Sequence, residues 1–261
     1  MRTVAFSVIT LLSIVDLAWS QGSAAPSAHA STAPSATATG LPMFRPVLIG
    51  QGPSTLINRI DEQDLVRKGQ KDALIMFICA VRKTGELEWS ATYRGTPDSD
   101  FLKQELQKRI SPAANPRFVP AVYDRQLVDA IYYGTVTFRI VNGKPRLRIF
   151  SNQEPGELEK EHDLIGPQPF FGNGSGFTGF HYPQMESGRV QVDGKVELKM
   201  KIDATGNLQE INVVSENPPL LGFGDAALKD FRDAKFIPAF RDGKPVESEV
   251  TLPVFYKAAG F

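Results

Sequence analysis

Between Val196 and Asp203 the chain alternates without a break: Val196, Leu198, Met200 and Ile202 are apolar, and Glu197, Lys199, Lys201 and Asp203 are polar. A sustained period of two predicts a half-buried strand. Ala204-Thr205-Gly206-Asn207 is turn chemistry, and LQEINVVS continues from Leu208 as the second strand of a hairpin. The period then lengthens. In GFGDAALKDFRDA, Phe223, Ala227, Phe231 and Ala234 recur at helical spacing, which predicts a helix of about three turns with Asp225 near its start. ESEVTLPVFY returns to alternation, with Val250, Leu252, Val254 and Tyr256 on one side. The predicted order is strand, strand, helix, strand.

The same order is legible earlier. ALIMFICAV, the turn Thr84-Gly85 and ELEWSATY predict a hairpin. Thr96-Pro97-Asp98 reads as a helix start, since proline suits the first helical position and a preceding threonine can cap it. Leu102, Leu106 and Ile110 follow at every fourth residue, and IYYGTVTFRIV closes the unit as a strand. Phe118 follows Thr84 by 34 positions and Phe236 follows Thr205 by 31; Phe138 and Phe255 follow in turn by 20 and 19. RFVPA at 117 and KFIPA at 235 precede the last strand in each case. Order and spacing together point to an internal duplication, with an α+β fold of two small units. Each unit is an antiparallel β-β-α-β sheet with one helix packed across it.

The copies differ at their ends. After its last strand the first copy turns at Asn142-Gly143 into PRLRIFS, which predicts an added strand covering the sheet edge. The second copy shows no such addition, and Pro253 sits in its last strand, a residue that fits edge strands because it lacks a donor. An uncovered edge offers unpaired N–H and C=O groups to another chain. The expected boundaries are a diverged first unit over 44–160, a Gly-rich linker over 161–180 and the cleaner unit over 181–261.

Composition narrows the setting. MRTVAFSVITLLSIVDLAWSQG has one basic residue, a short apolar run and small residues at Ala18 and Ser20, the layout of a cleaved signal peptide over residues 1–20. A bilayer span takes roughly 20 apolar residues, so a retained inner-membrane anchor through residues 4–19 is the weaker alternative. Residues 21–43 are Ala, Ser, Thr and Pro with few large apolar side chains, and read as a linker. The expectation is therefore export. Lys plus Arg equals Asp plus Glu at 29 each, which gives no basic surface for nucleic acid. Cys79 is the single cysteine and lies in an apolar run, so no internal disulfide can form.

A set of residues in the later unit then carries a family resemblance. Tyr182-Pro183, Gly194-Lys195-Val196, Ile202-Asp203 before Thr205-Gly206, Val213-Val214-Ser215, Ala226-Ala227-Leu228, Phe236-Ile237-Pro238-Ala239, Gly243-Lys244-Pro245-Val246 and Pro253-Val254-Phe255 occur in that order. Together they resemble the C-terminal domain of the TonB energy transducers, over about residues 181 to 257. The first copy matches in outline, as a diverged tandem unit. The resemblance implies a periplasmic domain that binds an extended segment, the TonB box, of an outer-membrane TonB-dependent receptor by β-strand addition. It further implies that Val250, Thr251, Leu252, Pro253, Val254 and Phe255 form the docking strand, with Tyr182 and Pro183 near the bound segment. ExbB- and ExbD-like partners would follow only if the N-terminal segment is retained.

Other chemistry is thin. His29, His162 and His181 lack metal-ligand spacing, so no metal and no cofactor is expected. His162-Asp163 reads as part of a charged loop, and Ser175 in GNGSGFTG lacks the strand-to-helix elbow of a nucleophilic serine. That glycine-rich stretch also lacks the Gly-Lys-Ser/Thr ending of a phosphate loop. Arg139, Arg146 and Arg148 read as a solvated strip. The expected function is therefore non-enzymatic peptide binding. The alternative is a self-associating envelope scaffold, in which the open edge pairs with a second copy as a homodimer.

Overall fold

The chain enters through a two-residue strand, β1 (Phe44–Arg45), and a short helix, α1 (Glu62–Arg67). Asp61 caps that helix by accepting from the Asp64 amide at 2.9 Å. This computed structural model describes residues 40–50, 52, 55–172, 174–183 and 192–258; the expected signal peptide and the expected linker up to residue 39 lie outside them. Gly40 to Phe261 forms one compact unit. Among the described residues no helix is long and apolar enough to cross a membrane.

The first hairpin pairs β2 (Ala73–Val81) with β3 (Leu87–Gly95), and α2 (Asp100–Arg109) follows. The helix starts later than Thr96-Pro97-Asp98 suggests. The Thr96 hydroxyl is engaged elsewhere, accepting from the Leu74 amide at 3.2 Å, and the side-chain oxygen Oε1 of the distant Gln70 accepts from the Leu102 amide at 2.8 Å. The chain continues through β4 (Ala121–Tyr123), the long β5 (Gln126–Val141) and β6 (Lys144–Phe150). β5 pairs along one side with β2 and on the other with β4 and β6. The turn into β6 places Asn142 and Gly143 at φ 51° and 73°, the left-handed pair that a tight hairpin requires.

After α3 (Pro155–Lys160) come two short strands, β7 (Leu164–Ile165) and β8 (Gln168–Phe171). The stretch expected as a linker is thus tied into the body: β8 pairs with β5, and Phe177 is buried at 1 % exposure. The second unit then follows the predicted order, with β9 (Gly194–Ile202), β10 (Leu208–Asn217) and α4 (Phe223–Phe231). Three short strands, β11 (Phe236–Ile237), β12 (Ala239–Arg241) and β13 (Lys244–Val246), precede β14 (Ser248–Tyr256). β11 pairs with β8 and β12 with β7, so both halves share these small ladders.

The central strands are ordered alike in the two halves, β3-β2-β5 and β10-β9-β14. Each hairpin turn also meets its Phe-x-Pro-Ala segment in one way. The Phe118 amide donates to the Gly85 carbonyl at 3.0 Å, and the Phe236 amide donates to the Gly206 carbonyl at 2.8 Å. Both glycines have positive φ, 81° and 86°, and a Cβ on either would run into the phenylalanine carbonyl oxygen. The recurring sentence in the sequence is therefore a backbone clamp that needs glycine on one side.

Side-chain alternation on β2 and β5 explains why ALIMFICAV has no polar face. Ile75, Phe77 and Cys79 pack with Tyr132, Phe138, Leu102 and Leu106 in one core. Ile78, Ile131 and Tyr133 point into the other, with Val196, Leu198, Met200, Phe223, Phe231 and Val254. A strand buried on both faces reads as a continuous apolar run. Each fully buried side chain of this kind stabilises the fold by about 1.5–3 kcal/mol.

Candidate functional site

Alternation on β14 turns Val250, Leu252, Val254 and Tyr256 into the core, where their exposure is 4 % or less. The backbone pairs antiparallel with β9 from Ser248 opposite Ile202 to Tyr256 opposite Gly194. Among the described residues no strand pairs with the other edge of β14. Two side chains from the first half meet that edge instead. The Thr251 amide donates to Glu154 Oε1 at 3.1 Å, and the Tyr133 hydroxyl donates to the Pro253 carbonyl at 3.4 Å. Pro253 itself brings no N–H.

The surroundings are half apolar and half charged. The Tyr93 and Phe255 rings lie 5.3 Å apart, and Arg94 pairs with Glu197, the residue opposite Pro253 on β9. Burial opposes ionisation of Glu197, but the Lys195 ammonium, the Arg94 guanidinium and the Ser215 hydroxyl hold its carboxyl below the usual range. Glu154 goes the other way: burial pushes its carboxyl up, against the hydrogen bond from Thr251.

These features lie within a region that matches a known family. Residues 178–258 match the family described as Gram-negative bacterial TonB protein C-terminal. This region is therefore similar to the TonB C-terminal domain. No curated protein and no solved structure matches the chain. The TonB domain begins within the aromatic segment around Phe177 and ends just past β14.

Tyr182 and Pro183 sit at a different place in the TonB domain from the Thr251–Pro253 edge. The Tyr182 hydroxyl donates to the Val192 carbonyl at 2.6 Å and accepts from its amide at 2.8 Å. Its ring meets Phe223 and Tyr256 edge-on, at 5.4 and 6.4 Å. With Pro183 and His181 it lines a cleft of about 620 Å³ beside α4. In the wall of that cleft the buried Asp230 accepts from the His181 amide at 2.9 Å and from the Tyr256 hydroxyl at 3.2 Å, and lies 2.7 Å from His181 Nδ1.

The start of α4 is held from β10, since Glu216 Oε1 accepts from the Phe223 amide at 2.9 Å. Asp225, expected near the start, lies in the first turn without a capping bond of its own. Ser175 is buried, its hydroxyl bonded to the Gly172 and Phe177 carbonyls at 3.0 Å, and so shapes its loop. His162 lies 3.2 Å from Glu157, which also takes Arg241, and Arg146 and Arg148 both pair with Glu161. Among the described residues no cluster of His, Cys, Asp and Glu could hold a metal ion.

Glu154, Tyr133 and Asp230 were not singled out by the sequence. Glu154 stands in EPGELEKEHD, where one acid among many gives no sign that it reaches a strand nearly a hundred positions away.

Proposed function

We propose that this is a periplasmic, TonB-like binding protein that takes up an extended segment of an outer-membrane TonB-dependent receptor by strand addition to β14, as a non-enzymatic step in TonB-dependent transport. One observation carries the reading: among the described residues, β14 has a strand neighbour on one side and two side-chain hydrogen bonds, but no strand, on the other. An incoming strand replaces those two bonds with main-chain ones, and side-chain pockets set its register. The first half is a diverged copy of the same unit; the shared strand order and the two glycine clamps support this.

Labelled N-terminal peptides of TonB-dependent receptors, titrated against the full chain, should bind saturably and shift the amide signals of residues 249–255. Thr251→Pro removes the outward amide and should weaken binding about tenfold, the worth of one well-made hydrogen bond. Binding that leaves 249–255 unmoved, or no binding, sinks the reading.

A second reading has its own observation. β10 is the opposite edge of the same sheet, and Val213 and Val214 on it are 38 % and 56 % exposed. Self-pairing of two copies along β10 would give an envelope scaffold without a peptide ligand. Sedimentation would then show concentration-dependent dimers that Val214→Lys disperses.

A further inference from the structure

After β6 the chain leaves the sheet as a loop over residues 153–163, which carries α3, and returns to it at β7. The two ends of the loop are clasped, since the Asn152 side-chain amide donates to the Leu164 carbonyl at 2.8 Å. That is the build of an Ω-loop, a compact surface excursion whose ends meet. It lies against the outer edge of β14 at Thr251. Alternate residues of an antiparallel strand turn both backbone groups to the same side, and Thr251 turns its amide outward to Glu154 at 3.1 Å. An added strand would lie about 4.8 Å from β14, in the space that the Glu154 carboxyl fills. What is left between Thr251, Pro253, Tyr93, Gln153 and Pro155 is about 170 Å³, room for a few waters and not for a strand. We propose that residues 153–163 are a latch: they hold the β14 edge closed at Thr251, and an extended segment pairs there only after they lift. The pairing rests on the strand-addition reading; the closed edge does not.

Two features make the loop the part that gives way. The buried apolar residue of α3, Leu158, sits with Met76 and Phe150 in a small cluster apart from both main cores. Lifting the loop uncovers that cluster alone, and segments with few buried apolar contacts open at a lower free energy than the core. The closed arrangement also seals the Gln153 side-chain nitrogen and the Tyr93 hydroxyl away from any partner. Both destabilise it, and both regain water when the loop lifts. Polar ties hold the latch down. Glu154 takes the Thr251 amide, and Glu157 takes both terminal guanidinium nitrogens of Arg241 on β12, at 2.8 and 3.1 Å. Glu161 pairs with Arg146 and Arg148 on β6, at the base of the loop. The Glu157–Arg241 tie can be cut without touching the β14 edge, because neither residue lines the space at Thr251.

The test compares the full chain with Arg241→Gln and Glu154→Ala, by hydrogen exchange of single backbone amides and by titration with labelled N-terminal peptides of TonB-dependent receptors. Apparent affinity scales with the fraction of molecules whose site is open. Arg241→Gln should speed exchange at the Thr251 amide about fivefold and tighten peptide binding by the same factor, the worth of one well-placed surface ion pair. The Leu252 amide, which faces β9, should exchange as before. Glu154→Ala removes the competing acceptor and should tighten binding about tenfold. Affinity that is unchanged or lower in either variant overturns the inference, as does exchange that quickens equally at Thr251 and Leu252, the mark of general loosening. If no peptide binds any of the three proteins, the strand-addition reading fails, and the latch is decided by exchange alone. Selective quickening at Thr251 in Arg241→Gln then supports it, and unchanged exchange overturns it.

Discussion

At Gly206 the backbone has φ 86°, and a Cβ would run into the Phe236 carbonyl oxygen, while Gly243, at φ 73°, has nothing within 4 Å of the same atom. Both positions disfavour an L side chain through φ, but only the first adds a collision. Gly206→Ala should therefore cost about 2–4 kcal/mol and Gly243→Ala about 1 kcal/mol, read from urea midpoints. Equal losses would mean that the clamp is not tight. Glu154 supports a second residue-scale prediction. Its carboxyl pKa is raised above the usual 4.5, chiefly by burial. A carboxyl with a higher pKa folded than unfolded adds stability that is full below the unfolded value and fades as pH rises through the folded one. Glu154→Gln keeps an oxygen for the Thr251 amide and does not titrate, so its stability relative to wild type should rise between pH 4 and pH 7. A difference that is constant with pH would show that Glu154 is not desolvated in solution.

At the scale of the element, α4 is fixed by an aromatic column. The Phe231 ring stacks on Phe177 at 4.8 Å and on Phe236 at 5.9 Å, with interplanar angles of 17° and 14°. Phe231→Ala should destabilise by about 3–5 kcal/mol, and Phe231→Leu by clearly less, in thermal or urea unfolding. The four apolar positions that announce this helix in the sequence, Phe223, Ala227, Phe231 and Ala234, are all buried. The long strands were equally legible, since period-two alternation on β9 and β14 is set by a local pleat. What sequence pattern could not supply is whatever depends on a remote partner. The start of α2 moved because Thr96 serves β2 and Gln70 acts from upstream. β7, β8 and β11 are two to four residues long and pair with strands remote in the sequence, which leaves no periodicity to read. The order of elements along the second half followed from its own sequence; the place of β14 beside β9 in the sheet and the Glu154 and Tyr133 contacts on its outer edge did not.

At the scale of the whole molecule, the two halves share one of their cores. Ile78, Ile131, Tyr133 and Phe177 all pack among the β9, β14 and α4 side chains, yet all lie before residue 181. A protein cut to residues 181–261 exposes the faces that those side chains cover. It should melt well below the full chain and bind an apolar dye that the full chain excludes. A fragment as stable as the whole would show that the second unit needs no support.

Cys79 lies at the seam of this arrangement, in the strand that feeds both cores, with 0 % exposure and a thiol that burial keeps protonated. Because thiolate is the reactive form, the sulfur should resist alkylation for as long as β2 stays in the sheet. The protein thus carries its own timekeeper: the pace at which a maleimide tags it counts the moments when the central sheet comes apart, without any added label.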